Sequence, residues 1–371
     1  MQTVTLYAVP HSLYAGRARS YLIKAGIRYR ELAPNSERFH RVVKPKAGGR
    51  NSLPTIAFEN GDVVRDGAAI IDHFEAETGN GFSPPTPKQR LISRLFDVIG
   101  AEGLLRPAMH YRWNFDQENV AFLKYHFDIV VGTGEGREGL AEKVMGKMRK
   151  AAFSFGVTPG TVPVVEALYR DQLVALDAHF SAHGYLLGNR PCIGDFGMIA
   201  PLFAHLGRDP KAVQVMTDHG VRVHRWVERM NREAADLLEY ENQDETWLPQ
   251  DEIPETLINV MAAMAEDFVP ETLAAADAIN RWLAEKDVVP GSTCPRGAGD
   301  AVFEIRGKEI TAIAQPYRFY LLKRVQDEYA ALGDDDRKAM DTILAASNMA
   351  PVLNATLTRE IGRTNNLEVW L

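Results

Sequence analysis

The chain has 371 residues, with 42 Lys+Arg against 49 Asp+Glu and a formal charge of −7; this length calls for more than one core, since single cores stop growing near about 250–300 residues. Its 46% apolar and 25% charged residues exclude disorder as the main state, and the acidic balance gives no support to a nucleic-acid partner, which wants a basic domain. Cys192 and Cys294 are the only cysteines, which excludes a disulfide framework, a four-cysteine zinc site and a Cys-x-x-Cys pair. Met1 to Leu6 lacks the positive and apolar regions of a secretion signal, and no apolar run approaches the ~18 residues of a membrane span. A cytoplasmic protein without a membrane partner is therefore expected.

Residues 1–80 carry 11 Lys+Arg and 8 Asp+Glu, so this segment is positive while the remainder is negative. Thr3 to Val9 alternates and is rich in strand formers, Pro10-His11-Ser12 breaks the pattern, and Leu13 to Gly26 has helical spacing with Gly26 as its stop. Arg28 to Leu32 predicts a second strand and Ser36 to Val43 a short helix. Between Arg38 and Phe58 there is no acid, only Arg38, Arg41, Lys44, Lys46 and Arg50; such a loop is either a solvated face or the seat of an anionic small ligand. Thr55 to Phe58 and Asp62 to Val64, joined through Asn60-Gly61, predict a hairpin. Asp66 is placed to cap a helix from Ala68 to Thr78. The order is βαβ then ββα.

Pro84, Pro85 and Pro87 mark residues 81–87 as a linker between segment 1–80 and an all-helical block over 88–248. Apolar spacing predicts helices over 88–113, 118–130, 139–153, 161–183, 195–206 and 211–231. Gly132 to Gly139 reads as an exposed loop. Within it Gly134-x-Gly136-x-x-Gly139 matches a dinucleotide fingerprint on paper, but no βαβ unit surrounds it and no acid follows about 20 residues on. His179 and His183 have i, i+4 spacing without a third ligand nearby, so they read as solvated histidines at a helix end rather than a metal site. Residues 249–371 form an extension with helices expected over 254–265 and 271–285. A hairpin of 301–305 with 308–314 follows, then helices over 316–332 and from Asp334, and a partly helical tail from Ala350.

Three features in the first segment bear on chemistry. Ser12 stands where the first strand turns into the first helix, a place whose free N–H groups favour an anion. Leu53-Pro54 stands at the entry of the third strand, a reasonable place for a cis bond that would expose the backbone of Leu53 to an extended ligand. Asp66-Gly67 opens the last helix. Together with the run Leu6 to Arg19, the segment Asp66 to Phe74, and Leu187-Gly188 through Asp195-Phe196 to Leu202, these residues make the chain resemble the glutathione transferase superfamily over residues 1 to about 232.

The resemblance implies a thioredoxin-like α+β domain over 1–80, an all-helical domain after it, glutathione as co-substrate with no metal, and a hydrophobic electrophile in the cleft between the domains. It places Ser12 at the hydroxyl that hydrogen-bonds the glutathione sulfur and so favours the nucleophilic thiolate. It places Leu53 and Pro54 against the cysteinyl residue, Asp66 and Gly67 at the γ-glutamyl end, and Arg50 or Lys44 at the glycyl carboxylate. Gly67 departs from the family's serine and removes a side-chain donor. Cys192 stands where a Ser or Thr usually opens a capping box, leaving Asp195 as a buried partner. A homodimer is implied, joining the first domain of one chain to the helical domain of the other.

Each residue also has a plainer reading. Ser12 is equally a helix N-cap, and Tyr14 and Tyr7 are rivals for the thiol, or core. Tyr111 and Trp113, in the helix that lines the electrophile site in the superfamily, are either pocket or core. Two functions result: an enzyme that conjugates glutathione to a hydrophobic electrophile, or a non-catalytic member of the fold that serves protein interaction or ligand binding through its extension.

Overall fold

The computed structural model describes residues 3–79, 81–132, 137 and 139–371. Strand β1 (Val4–Tyr7), helix α1 (Leu13–Lys24) and strand β2 (Tyr29–Leu32) form the βαβ unit, with β1 and β2 parallel. A π turn over Phe39–Val43 leads into the short α2 (Lys44–Lys46). Strands β3 (Thr55–Ala57) and β4 (Val63–Arg65) and helix α3 (Gly67–Thr78) then complete a mixed sheet of order β2-β1-β3-β4. Tyr7 lies opposite Thr55, and Thr55 opposite Arg65, in antiparallel register. That register brings the end of β1, the start of β3 and the end of β4 to one end of the sheet.

The helical block holds α4 (Pro87–Val98), a π turn over Ile99–Gly103, α5 (Leu105–Trp113), α6 (Asp116–Val131), α7 (Leu140–Ser154), α8 (Val162–His179), α9 (Ile193–Ala204), α10 (Pro210–His219) and α11 (Val221–Met230). The helix expected over 88–113 is thus broken at the π turn. A Cβ on Gly100 would stand 2.1 Å from the carbonyl carbon of Gly197, and one on Gly197 would stand 2.5 Å from Cα of Asp97. This stretch crosses α9 backbone to backbone, and only glycine permits the approach. The helix expected over 211–231 divides at Gly220. Asp195 is buried at the start of α9 and accepts from the N–H of Cys192 at 2.9 Å and the indole of Trp226 at 3.1 Å, and the Cys192 side chain accepts from the Asp195 N–H, so both halves of the capping box form despite the cysteine.

In the extension, the two helices expected at 254–265 and 271–285 are one helix, α12 (Glu255–Glu285), which runs through Pro270. Leu257, Val260, Met261, Met264, Phe268, Ala275, Ile279 and Leu283 are buried along it, and this continuous stripe outweighs the lost bond at the proline. The hairpin β5 (Asp300–Ile305) and β6 (Lys308–Ile313), α13 (Pro316–Ala330) and α14 (Asp334–Ala346) follow. The tail is a hairpin rather than helix, β7 (Ile361–Thr364) with β8 (Leu367–Trp370). Asn365 and Asn366 turn it at φ 48 and 63, the left-handed pair that a two-residue hairpin loop requires.

One apolar core runs from Val4 in the sheet through the helical block to Trp370. The extension is built onto it. Arg106 of α5 pairs with Asp267 at 2.6 Å and Glu271 at 2.9 Å, and Arg318 of α13 meets Glu271 at 3.0 Å. All four are buried, so a shift of register would strand a charge without its partner. The architecture is a thioredoxin-like α+β domain, an all-helical body and a mainly helical extension with small hairpins.

Candidate functional site

Ser12 occupies the N-cap position of α1 with extended backbone and makes no capping hydrogen bond with its side chain. A residue type chosen elsewhere for that bond therefore keeps its hydroxyl available at the positive end of a helix. The turn beneath it is clamped from the helical block. Arg112 of α5 donates to the carbonyl of His11 at 2.9 Å, while its guanidinium is gripped by Asp209 at 2.6 and 2.9 Å and meets His205 at 2.6 Å. Burial, then the charge of Arg112, pushes His11 down to about 2, so its ring is neutral at physiological pH and packs on Phe127 at 4.6 Å.

Tyr14 lies in the first turn of α1, and burial followed by the charges of Glu102 and Asp66 holds its hydroxyl well above the usual phenol range. It is a donor, not a phenolate. Tyr7 is core: it is buried against Phe39, ring centroids 5.0 Å apart, in a small cluster with Val43 and Ala57.

The Leu53–Pro54 bond is cis, and the Pro54 carbonyl accepts from the N–H of Asp66 at 2.9 Å. Asp66 has φ 88, a conformation costly for a residue with a Cβ and concentrated at functional positions. Its Oδ1 accepts from the N–H groups of Ala68 and Ala69 at 3.0 and 3.2 Å. Gly67 has a packing reason: a Cβ there would meet Cδ of Arg17 at 3.1 Å and the carbonyl of Tyr14 at 3.2 Å. Arg17 is itself buried in an ion pair with Asp97 of α4, so the space a serine needs is held by a charged side chain.

The extension reaches into this region. The hydroxyl of Tyr317 donates to Asp66 at 3.0 and 2.9 Å from its two carboxylate oxygens. Arg50 donates to the carbonyl of Cys294 at 2.9 Å and faces Glu368 at 3.6 Å. Glu368 is bound by Arg65 at 2.8 and 3.0 Å and by Arg363. Lys44 opens α2, half-buried. Glu102, on the π turn, is buried with neither carboxyl oxygen hydrogen-bonded among the described residues. Burial, opposed by Arg318 and aided by Glu271 and Asp66, pushes it up to about 8.

Tyr111 and Trp113 are buried in aromatic packing. Tyr111 stacks on Phe115 at 5.6 Å and Trp113 packs on Phe127 at 5.9 Å, both buried in the core. His179 is buried rather than solvated, with Nδ1 2.9 Å from the Thr256 hydroxyl, and burial, then His183, lowers it to about 3. Among the described residues no group of three or more His, Cys, Asp or Glu is placed to hold a metal, and no helix is long and apolar enough to cross a membrane. Gly134 and Gly136 of the glycine pattern lie outside the described residues.

Residues 6–82 match the family model described as glutathione S-transferase, N-terminal domain. This segment belongs to that family. The match to the glutathione transferase domain runs from within β1 past α3 and stops before α4, so the helical block and the extension lie beyond it. Among solved structures, a glutathione S-transferase from Methylobacterium radiotolerans in complex with glutathione sulfonate is 14% identical, covers 63% of this chain and 97% of its own, and has a TM-score of 0.33. A glutathione S-transferase from Rhodospirillum rubrum is 13% identical, with 69% and 99% covered and a TM-score of 0.39. A glutathione transferase from Phanerochaete chrysosporium is 15% identical, with 64% and 99% covered and a TM-score of 0.44. With TM-scores below 0.5 these likenesses carry no weight for the site. No curated protein matches the chain.

Proposed function

We propose that the chain binds glutathione on its first domain and adds the thiolate to a hydrophobic electrophile. The observation that carries this reading is the Ser12 hydroxyl, left without its capping bond at the N-terminus of α1, where a donor and a helix end together favour a thiolate. In this reading Tyr14 is a second donor, Leu53 and Pro54 align the cysteinyl backbone, Asp66 receives the amino end with the Gly67 N–H beside it, and Arg50 or Lys44 meets the glycyl carboxylate. Two buried free cysteines suit a reducing cytoplasm. The test is titration with reduced glutathione, read by calorimetry and the ultraviolet thiolate difference spectrum, together with the conjugation rate of Ser12→Ala. Loss of one donor to the sulfur is expected to lower that rate ~10²-fold. An unchanged rate would remove Ser12 from the mechanism and leave Tyr14.

One observation favours a second reading, a non-catalytic protein of this fold: Asp66 and Arg50 already have partners in the extension. Absence of a thiolate signal in a protein that still binds glutathione would select it. Self-association belongs to the same question. The implied homodimer joins the first domain to a helical domain, and here the extension packs on both domains: Arg324 of α13 binds Asp72 of α3 at 2.7 Å and Arg90 of α4 binds Glu328 at 2.8 Å. We therefore favour a monomer.

A further inference from the structure

Both ends of the proposed glutathione site are bonded within the chain, and the groups bonded to them come from the extension. At one end Asp66 accepts two backbone N–H groups on Oδ1, and the Tyr317 hydroxyl approaches both of its oxygens, which nearly fills the roughly four acceptor positions of a carboxylate. At the other end Arg50 holds the Cys294 carbonyl and faces the Glu368 carboxylate. These partners have the polarity of the ligand. A hydroxyl donor sits on the acid that would receive an ammonium, and a carboxylate sits beside the cation that would receive a carboxylate.

We propose that the extension is an intramolecular competitor for this site, in which Tyr317 and Glu368 take the places of the amino and glycyl ends of the tripeptide and set its affinity by yielding to them. The inference rests on the glutathione reading above. The anchoring of the extension allows the exchange. Its root on the helical block is apolar and ionic, through Met264 and Phe268 in the common core, Asp267 and Glu271 on Arg106 at 2.6 and 2.9 Å, and Arg318 on the Glu102 carbonyl at 3.1 Å. Its contacts with the site are polar, through Tyr317, Asn366 and Glu368. Side-chain bonds can thus be traded for the same kinds of bond to a ligand while the root stays packed. Charge favours the trade at the carboxylate end, because Arg50, Arg65 and Arg363 share the single acid Glu368, and among the described residues no other carboxylate pairs with them.

The experiment is calorimetric titration of the full chain and of Tyr317→Phe with glutathione and with glutaryl-cysteinylglycine, which lacks the amino group. The variant is expected to bind glutathione roughly tenfold to a hundredfold tighter, the range of one hydrogen bond to a charged group, and to bind the analogue no tighter. Equal gains for the two ligands, no gain, or weaker binding would overturn the proposal. Tyr317→Phe keeps the ring in place, whereas Glu368→Gln leaves Arg65 short of a partner; where that second variant folds, it is expected to gain for glutathione and not for γ-glutamylcysteine, which lacks the glycyl carboxylate. Binding by the wild type with no gain in Tyr317→Phe removes the competitor and leaves the glutathione reading standing. No binding of glutathione by either protein removes both.

Discussion

Gly67 and Glu102 both border Tyr14, one crowded by a charged side chain and one a buried carboxyl. At Gly67 a Cβ would stand 3.1 Å from Cδ of Arg17 and 3.2 Å from the Tyr14 carbonyl, a tight fit against the buried Arg17–Asp97 pair. Glu102 is the counterpart, a carboxyl with no hydrogen-bond partner among the described residues. Burial raises it to about 8, whereas unfolded it titrates near about 4.3. Between those values the folded protein holds a proton that the unfolded chain lacks, so this contribution to stability is complete below the unfolded value and is lost as pH rises toward the folded one. Glu102→Gln removes the dependence: urea unfolding is expected to show the variant more stable than the wild type by a few kcal/mol at about pH 8.5, and close to it at about pH 5. Equal differences at the two pH values would mean that Glu102 carries no such proton.

Helix α5 does for the site what no residue of the first domain does. Its Arg112 ties the turn that carries Ser12 to Asp209, a contact between residues 101 and 97 positions apart in sequence. Arg112→Met leaves a buried carboxylate unpaired and frees the His11 carbonyl, and the expected cost is about 3–5 kcal/mol in urea unfolding; a loss under about 1 kcal/mol would show that the clamp is slack. Elements differ in how far they are legible. The βαβ and ββα order was readable because strand alternation, Asn60-Gly61 and the Asp66 cap are local signals. Asn365-Asn366 was an equally local hairpin signal, masked by the expectation of a helical tail. The break at residues 99–103 was not readable, since its cause is Gly197 in a different helix. Nor was the continuity of α12 through Pro270, which depends on what its buried stripe packs against.

At the scale of the molecule, the extension closes over both the sheet domain and the helical block, and the apolar core is continuous from Val4 to Trp370. Sedimentation at working concentration is expected to give the mass of one chain, 41.3 kDa, because the extension packs on both domains that the implied homodimer would join; a sedimenting mass of two chains would overturn the monomer. What the sequence determined is the local part: the N-terminal fold, the turn at Ser12, the cis bond before Thr55 and the capping acid at Asp66, each written in a few neighbouring residues whose backbone preferences act alone. What only the tertiary structure decided is who meets those residues. Tyr317 stands 251 positions from Asp66, and Cys294 is 244 from Arg50. Such contacts are fixed by the burial of α12 and α13 and by the charges locked beneath them, a sum over many side chains that no short stretch of sequence records.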